Sequence, residues 1–474
     1  MRGYSQYDLP ARLHPDPGKM LIVGAGSGND AAGALRRGVA EVVALEIDPA
    51  IIALGRQYHP ERPYDSARVR VVVDDARSYF ATCDERFDVI SFGLLDSHTL
   101  GSAMTNQRLD HFVYTRESLA HARTLLAEGG VLTLTFEPPR PFIADRLGRQ
   151  LREVFGEEPL AFRIPAGKYG WGGVFFVAGD VEGARARIAA DPQLAGLVSQ
   201  WQELRPVKLP GRAATTTDDW PYLYLQYREI PRLYFLLGGA LLVMLFVAQR
   251  ILGVRIVGGN WTAGCWHFFF LGAAFMLLEV QNISKAAVVL GNTWWVSAVI
   301  ISGVLTMILL ANAVAARLPR LPVQPVYLLL WGSCLGLYFV NLSRFAFLPY
   351  GTKAAAVGAL TTLPMFFSGI IFVRSFAQTP AKHLALGANL FGALVGGLLQ
   401  SITFIAGIKA LLLIVAGLYV LAFVTQRGVV RAPATKRSPT PRAGDRHLRP
   451  GAVERPPLPG AVERLPTPAP LASA

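Results

Sequence analysis

The sequence predicts a two-part molecule, a doubly wound α/β sheet followed by an all-α transmembrane helix bundle. Three observations predict it. Residues Met20–Pro49, MLIVGAGSGNDAAGALRRGVAEVVALEIDP, read as an apolar strand, a glycine turn, a helix and a second apolar strand that ends in an acid. Strand-like and helix-like stretches then alternate as far as residue 180, as in a parallel sheet with helices on its faces. From Pro231 to Gly444 a single acidic residue, Glu279, stands among seven apolar segments. Each is close to the roughly 20 residues that cross a hydrocarbon core.

Composition agrees with this division. The chain has 474 residues, 52% of them hydrophobic and only 17% charged, too apolar for one ordinary soluble domain. Residues 1–230 hold 26 Lys and Arg against 29 Asp and Glu, a balance of −3, and the remainder holds 20 against 4, a balance of +16. The basic surplus of +13 thus belongs to the loops and tail of the apolar part. That excludes nucleic acid as a partner of the first part, because phosphate binding needs a basic face. The three cysteines, Cys83, Cys265 and Cys334, form no CxxC pair or Cys/His cluster, so neither a metal site nor a disulfide framework is expected. The N-terminus lacks the basic-then-apolar pattern of a signal peptide, which leaves membrane insertion to the later segments.

In chain order, 1–19 is a polar, proline-bearing lead-in, and 20–180 is the sheet domain. Its strands are read at Met20–Val23, Val42–Leu45, Val69–Val73, Phe87–Phe92 and Val131–Phe136, with Ala161–Ile164 and Gly173–Ala178 as a closing antiparallel pair. Helices are expected over Ile51–Tyr58, Tyr114–Leu126 (stopped by Gly129-Gly130) and Phe142–Phe155. Residues 181–230 form a helical and aromatic linker, helical over Val181–Leu204. Its Trp220, Tyr222, Tyr224 and Tyr227 suit either a membrane–water interface or ordinary packing.

Residues 231–427 are the transmembrane domain, with segments near 233–252, 265–284, 293–315, 325–343, 354–375, 384–406 and 408–426. The sixth carries Gly387, Gly392, Gly396 and Gly397, small residues that let helices approach closely. Glu279, with Asn282 on its face, reads as a polar clasp between helices in preference to a substrate path. Residues 428–474, rich in Pro and Arg and containing PGAVER twice, are expected to be disordered. The chain is expected in a bacterial-type cytoplasmic membrane with its first domain cytoplasmic. Seven crossings would then set Arg250, Arg255, Arg317, Arg320, Arg374 and Lys382 outside, whereas charge bias favours them inside; six crossings would reconcile the two.

The chemistry is expected at the carboxyl ends of the strands. The spacing of the glycine turn and Glu46 is that of Rossmann-like nucleotide-binding units. Gly24 and Gly26 permit a sharp turn and close backbone approach to a ligand. The helix start after Gly28 offers unpaired N–H groups, and Glu46 can accept from both hydroxyls of a ribose. Asp75, at the end of the third strand, can accept an adenine amino group with the Ala76 N–H beside it. The segment after the fourth strand places Asp96 and His98 at the mouth of the same crevice. There Asp96 either anchors or deprotonates an amine or caps the next element, and His98 is read as an ordinary loop residue.

Residues 20–137 resemble the catalytic domain of the spermidine/spermine synthase family, a branch of the class I S-adenosylmethionine-dependent transferase fold. The resemblance rests on VGAGSGND, ALEIDP, VVVDDARSYF, FDVISFGLLDSHTL and LLAEGGVLTL, in the family's order. It implies that Gly24, Gly26, Gly28, Glu46, Asp75 and Ala76 hold S-adenosylmethionine or its decarboxylated form as donor. It also implies that Asp96 falls near the family's catalytic aspartate and that no metal is needed. The sequence departs from the family at Ser27, where an acid is usual, and in the residues around Asp96. The leading expectation is a membrane-anchored aminopropyl transferase acting on a small amine. The alternatives are a methyltransferase with a membrane-associated acceptor and a non-catalytic nucleoside-binding transporter or sensor. Oligomeric state is left open.

Overall fold

The computed structural model describes residues 3–95, 108–168, 170–252, 261–291 and 293–427, all within one compact unit, Met1–Ala432. Its first part is a seven-stranded mixed sheet. The strands are β1 (Lys19–Val23), β2 (Glu41–Glu46), β3 (Val69–Val73), β4 (Phe87–Phe92), β5 (Leu126–Phe136), β6 (Leu160–Ile164) and β7 (Gly173–Gly179), in the order β3-β2-β1-β4-β5-β7-β6. The first five pair in parallel, and β7 runs antiparallel to both β5 and β6. The central strands are buried on both faces, so their residues sort by parity. Leu21, Val23, Val43 and Leu45 join one core, and Met20, Ile22, Val42 and Ala44 join the other.

Helices cover both faces: α1 (Asn29–Arg36), α2 (Pro49–Tyr58), α3 (Ala76–Thr82), α4 (Arg116–Thr124), α5 (Pro141–Phe155), α6 (Val181–Ala190) and α7 (Pro192–Leu204). Their starts are locally encoded. Asp48, Asp75, Thr115 and Asp191 each accept from a backbone N–H of the turn they cap, and Pro49 and Pro192 follow two of these caps. Two expectations change. The helix expected to run to Leu126 stops at Thr124, because Leu126 is already paired with Phe87; Gly129 and Gly130 lie inside β5, where the register with β4 shifts. The stretch Val181–Leu204 is two helices, since Asp191 caps a new start and Pro192 supplies no N–H to continue the old one.

Residues 205–230 lie against the sheet domain. Arg146 of α5 is fully buried, and its guanidinium donates to the carbonyls of Ala214, Tyr222, Leu223 and Leu225. Trp220 and Tyr222 are packing residues: Trp220 Nε1 donates to the Phe404 carbonyl at 2.7 Å and the Tyr222 hydroxyl to Thr403 Oγ1 at 2.6 Å. Tyr227 stays exposed.

The second part is all helical: α8 (Arg232–Leu252), α9 (Ala263–Leu290), α10 (Trp294–Arg317), α11 (Val323–Phe339), α12 (Tyr350–Gln378), α13 (Lys382–Leu399), the short α14 (Thr403–Ala406) and α15 (Ala410–Thr425). Five helices among the described residues are long and apolar enough to cross a membrane by length and composition; α11 and α15 are apolar but shorter. Of the small residues on the sixth segment, Gly392 and Gly396 face α9, where a Cβ would collide with the carbonyls of Phe269 and Ala273, while Gly387 and Gly397 meet nothing. On α9, Gln281 and Asn282 are fully buried, Asn282 facing Met365, and Lys285 donates to the Leu337 carbonyl. The sheet domain meets one end of the bundle, at the last turn of α9 and the starts of α12 and α15.

Arg146→Leu would leave several buried carbonyls without a donor. A loss of about 3 kcal/mol is expected, since each buried acceptor left without a donor costs about 1–3 kcal/mol. It is read as a lowered melting temperature and as new protease cleavage within residues 205–230; wild-type values in both would refute it.

Candidate functional site

At the end of β1 the chain turns through Gly24 (φ +72°), Gly26 (φ +55°) and Gly28 (φ +107°). Side chains rarely adopt these angles, and a Cβ on Gly24 would also strike Leu95. The turn is pinned from β2. The Gly26 amide donates to Glu46 Oε2 at 2.8 Å, and the amides of Ile47 and Asp48 donate to Oε1 at 2.9 and 3.1 Å. Tyr64 locks the other side, its hydroxyl donating to the carbonyls of Ala25 and Gly26 at 3.0 and 2.6 Å. Glu46 is thus a buried brace of the turn, and both of its oxygens already accept from the backbone.

Gly24, Gly26, Glu46, Asp74, Asp75 and Ala76 line one cavity of about 350 Å³, closed on its far side by Leu94, Leu95, Asp110 and Val113. The strand-end acids and the glycine turn are therefore brought together. Gly28 is not among the lining residues; it caps α1 and packs on Pro63 and Tyr64. Asp75 has a local task as well, its Oδ1 accepting from the amides of Arg77 and Ser78 at 2.9 and 3.2 Å. The Asp75 amide in turn donates to Asp74 Oδ1 at 2.8 Å. Burial raises the pKa of Asp74, and the neighbouring Asp75 charge adds to the effect. Asp96 and His98 lie outside the described residues; the described chain stops at Leu95, on the cavity wall.

A second cavity of about 420 Å³ shares Gly24, Gly26 and Leu94 with the first and lies on the other side of the turn. Tyr7, Ala25, Ser27, Asn29, Asp30, Glu137 and Trp171 complete its lining. Asp30, in the first turn of α1, is 7% exposed, and burial together with the charge of Asp8 lifts its pKa to about 7. Glu137 follows directly on β5 and accepts from Arg163. Through Tyr7, Asn29 and Trp171 this cavity continues into a wider hollow of about 720 Å³. None of these four flanking groups (Tyr7, Asp30, Glu137, Trp171) was singled out from sequence. Glu137 was findable, since every strand of such a sheet ends at the crevice. Asp30 follows the glycines by two residues in a helix start, where an acid is ordinary. Tyr7 and Trp171 carry no local signal. Among the described residues no group of three or more His, Cys, Asp or Glu could hold a metal ion.

The Spermine/spermidine synthase domain family model matches residues 7–175. The polyamine aminopropyltransferase of Nitrosomonas europaea is 34% identical over 154 residues, 31% of this chain and 45% of that protein. Its counterpart in Korarchaeum cryptofilum is 28% identical over 151 residues, 31% of this chain and 44% of that protein. Among solved structures, spermidine synthase from Thermotoga maritima is 23% identical, covering 36% of this chain and 56% of that one with a TM-score of 0.28. The chain spans about half the length of the curated relatives it matches. The matched span, residues 7–175, contains the lining of both cavities, and over it the chain is similar to the Spermine/spermidine synthase domain.

Proposed function

We propose that this domain binds an adenosyl sulfonium donor, S-adenosylmethionine or its decarboxylated form, and, with the decarboxylated form, transfers an aminopropyl group to a small amine. The observation that carries the reading is the pair of cavities meeting at one glycine turn. The first offers strand-end acids and exposed backbone to a nucleoside, with Gly24, Gly26, Glu46, Asp75 and Ala76 around it and Gly28 shaping the turn. The second offers carboxylates and an indole to an alkylammonium, which favours aminopropyl transfer to an amine over transfer to an apolar acceptor.

The donor supplies a carbon already activated by its neighbouring sulfonium, so the protein's share is positioning and proton handling. An amine held by Asp30 and Glu137 presents a nitrogen at the turn. Its lone pair forms the new C–N bond as the C–S bond breaks, and the electron pair leaves with the thioether. The proton released from nitrogen goes to a carboxylate, a role assigned here to Asp96, one residue past Leu95. The acceptor approaches through the wide hollow at Trp171. The bundle anchors the enzyme in a bacterial-type cytoplasmic membrane, with the catalytic domain on the cytoplasmic side where nucleoside donors are made.

The reading is tested by incubating the full chain in detergent with decarboxylated S-adenosylmethionine and a diamine. A lengthened amine with methylthioadenosine is expected. Formation of S-adenosylhomocysteine from S-adenosylmethionine would replace it with methyl transfer, and binding without turnover would point to a sensor or transporter.

Two further outcomes follow from Asp30 and from the topology. Because the folded-state pKa of Asp30 is raised to about 7, its stabilising contribution is complete at low pH and is lost as pH rises through about 7. Asp30→Asn is therefore expected to stabilise the protein at pH 8 by on the order of 2–4 kcal/mol, by less than half as much at pH 5, and to leave it little changed at about pH 3. The same variant should raise the acceptor KM about tenfold at pH 8. Equal melting curves at pH 8 would count against a buried acid. In a Cys83→Ser background, Gln378→Cys is expected to react with an impermeant maleimide from outside intact cells and Glu157→Cys only after lysis; the reverse pattern would put the domain outside.

A further inference from the structure

The acid pair of the first cavity is met from behind by the helix bundle. Lys353 sits in the first turn of α12, is only 5% exposed, and donates from Nζ to Ser78 Oγ of α3 at 3.3 Å. It lies within the field of the Asp74 and Asp75 charges. Tyr350, one turn earlier, lies within the field of Asp74, and the Lys353 ammonium stands 5.6 Å from the centre of its ring. Gly291, which ends α9, presses on the same spot: a Cβ there would stand 2.8 Å from the Cβ of Asp75. Ala81 of α3 and Phe112 pack into the bundle's own core.

We propose that Lys353 is a positioning residue for the nucleoside end of the site: it offsets the charge of the Asp74–Asp75 pair and ties down the first turn of α3, so that the end of the bundle backs the donor cavity from behind its lining. The inference rests on the donor-binding reading above. Its physical ground is the crowding of carboxylates. Glu46, Asp74 and Asp75 line one small cavity. Adjacent buried acids tend to share a proton unless a cation stands beside them. A protonated Asp75 would lose much of its strength as an acceptor, both for a ligand and for the α3 amides it caps. Among the described residues, no Lys or Arg lines that cavity. The bundle sets Lys353 behind that lining, against Ser78 of α3.

This gives the helices a task beyond attachment. Donor affinity should depend on how α12 and α9 seat against α3, so that a change in the bundle is felt at the nucleoside cavity while the second cavity is left alone.

The test uses the full chain in nanodiscs and methylthioadenosine as probe, titrated calorimetrically against wild type, Lys353→Gln, Lys353→Arg and Gly291→Ala, with Lys382→Gln at the opposite end of the bundle as control. Lys353→Gln is expected to weaken binding by about tenfold or more, as loss of a buried charged partner does, and Lys353→Arg to stay within about threefold of wild type. With decarboxylated donor and a diamine, Lys353→Gln should raise the donor KM and leave the acceptor KM unchanged, a split that general loosening of the fold would not produce. Gly291→Ala, which crowds Asp75 without altering charge, should weaken the probe about fivefold. If Lys353→Gln does not yield folded protein, the other two variants decide. Wild-type affinity in Lys353→Gln, or in Gly291→Ala, overturns the proposal. Failure of wild type itself to bind the probe would instead remove the donor-binding reading, and this inference with it.

Discussion

The hydrogen bond between the Gly26 amide and the Glu46 carboxylate is the constraint on which the rest of the site depends. A turn built from glycines has no side chains with which to hold its own shape, and its loss of conformational freedom on folding is the largest of any residue type. Glu46 supplies the missing restraint from the neighbouring strand, gathering three backbone amides on one buried carboxylate. With Tyr64 holding two carbonyls on the opposite side, the turn becomes a rigid partition. The two cavities share its residues, so any reaction that joins their contents has its geometry set there.

The same economy appears at Asp75. One oxygen caps α3 through two amides, which places α3 and the residues behind it at a fixed distance from the sheet. Residues that hold a ligand in such folds are often the ones that hold the backbone, because a charged oxygen has more than one acceptor direction. The domain's electrostatics are accordingly local. Among the acids around the two cavities, Glu46, Asp74 and Asp75 are restrained by nearby amides, Glu137 by Arg163 and Asp110 by the Tyr224 hydroxyl, and the basic surplus of the chain lies elsewhere.

The junction between the sheet domain and the bundle is specific. Asp219 accepts the Lys409 amide at 2.7 Å and its carbonyl accepts the Ile408 amide at 2.8 Å; Trp220 and Tyr222 reach Phe404 and Thr403 close by. Arg146 stiffens the segment carrying these contacts from beneath. Residues 205–230 therefore behave as a fitted joint, and the aromatics that suit an interface by composition are spent mainly on packing. Small residues act similarly within the bundle. Gly392 and Gly396 admit α9 closely, and Gly303 and Gly358 do so between α10 and α12, where side chains of Thr362 and Val299 fill the space.

Much of this was legible in the sequence because it is local. Val69–Val73 and Phe87–Phe92 are short apolar runs bounded by turn residues, too short for helices and rich in β-branched or aromatic residues, and the apolar segments after Pro231 announce themselves by length. The gathering of Gly24, Glu46, Asp75 and Ala76 also followed, since parallel strands end at one edge. What local pattern could not decide was partnership across the chain. Asp30 and Trp171 are 141 residues apart and meet only because β7 returns beside β5. Lys353 reaches Ser78 across 275 residues. The side-chain hydrogen bonds of Glu46 and Asp75 to the backbone depend on distances of a few tenths of an ångström that spacing does not encode. By itself the sequence determined which segments are strands, which are apolar helices and where the crevice opens. Only the tertiary structure decided which charges share that crevice, because the field at a buried carboxylate is set by neighbours in space, and those come from every part of the chain.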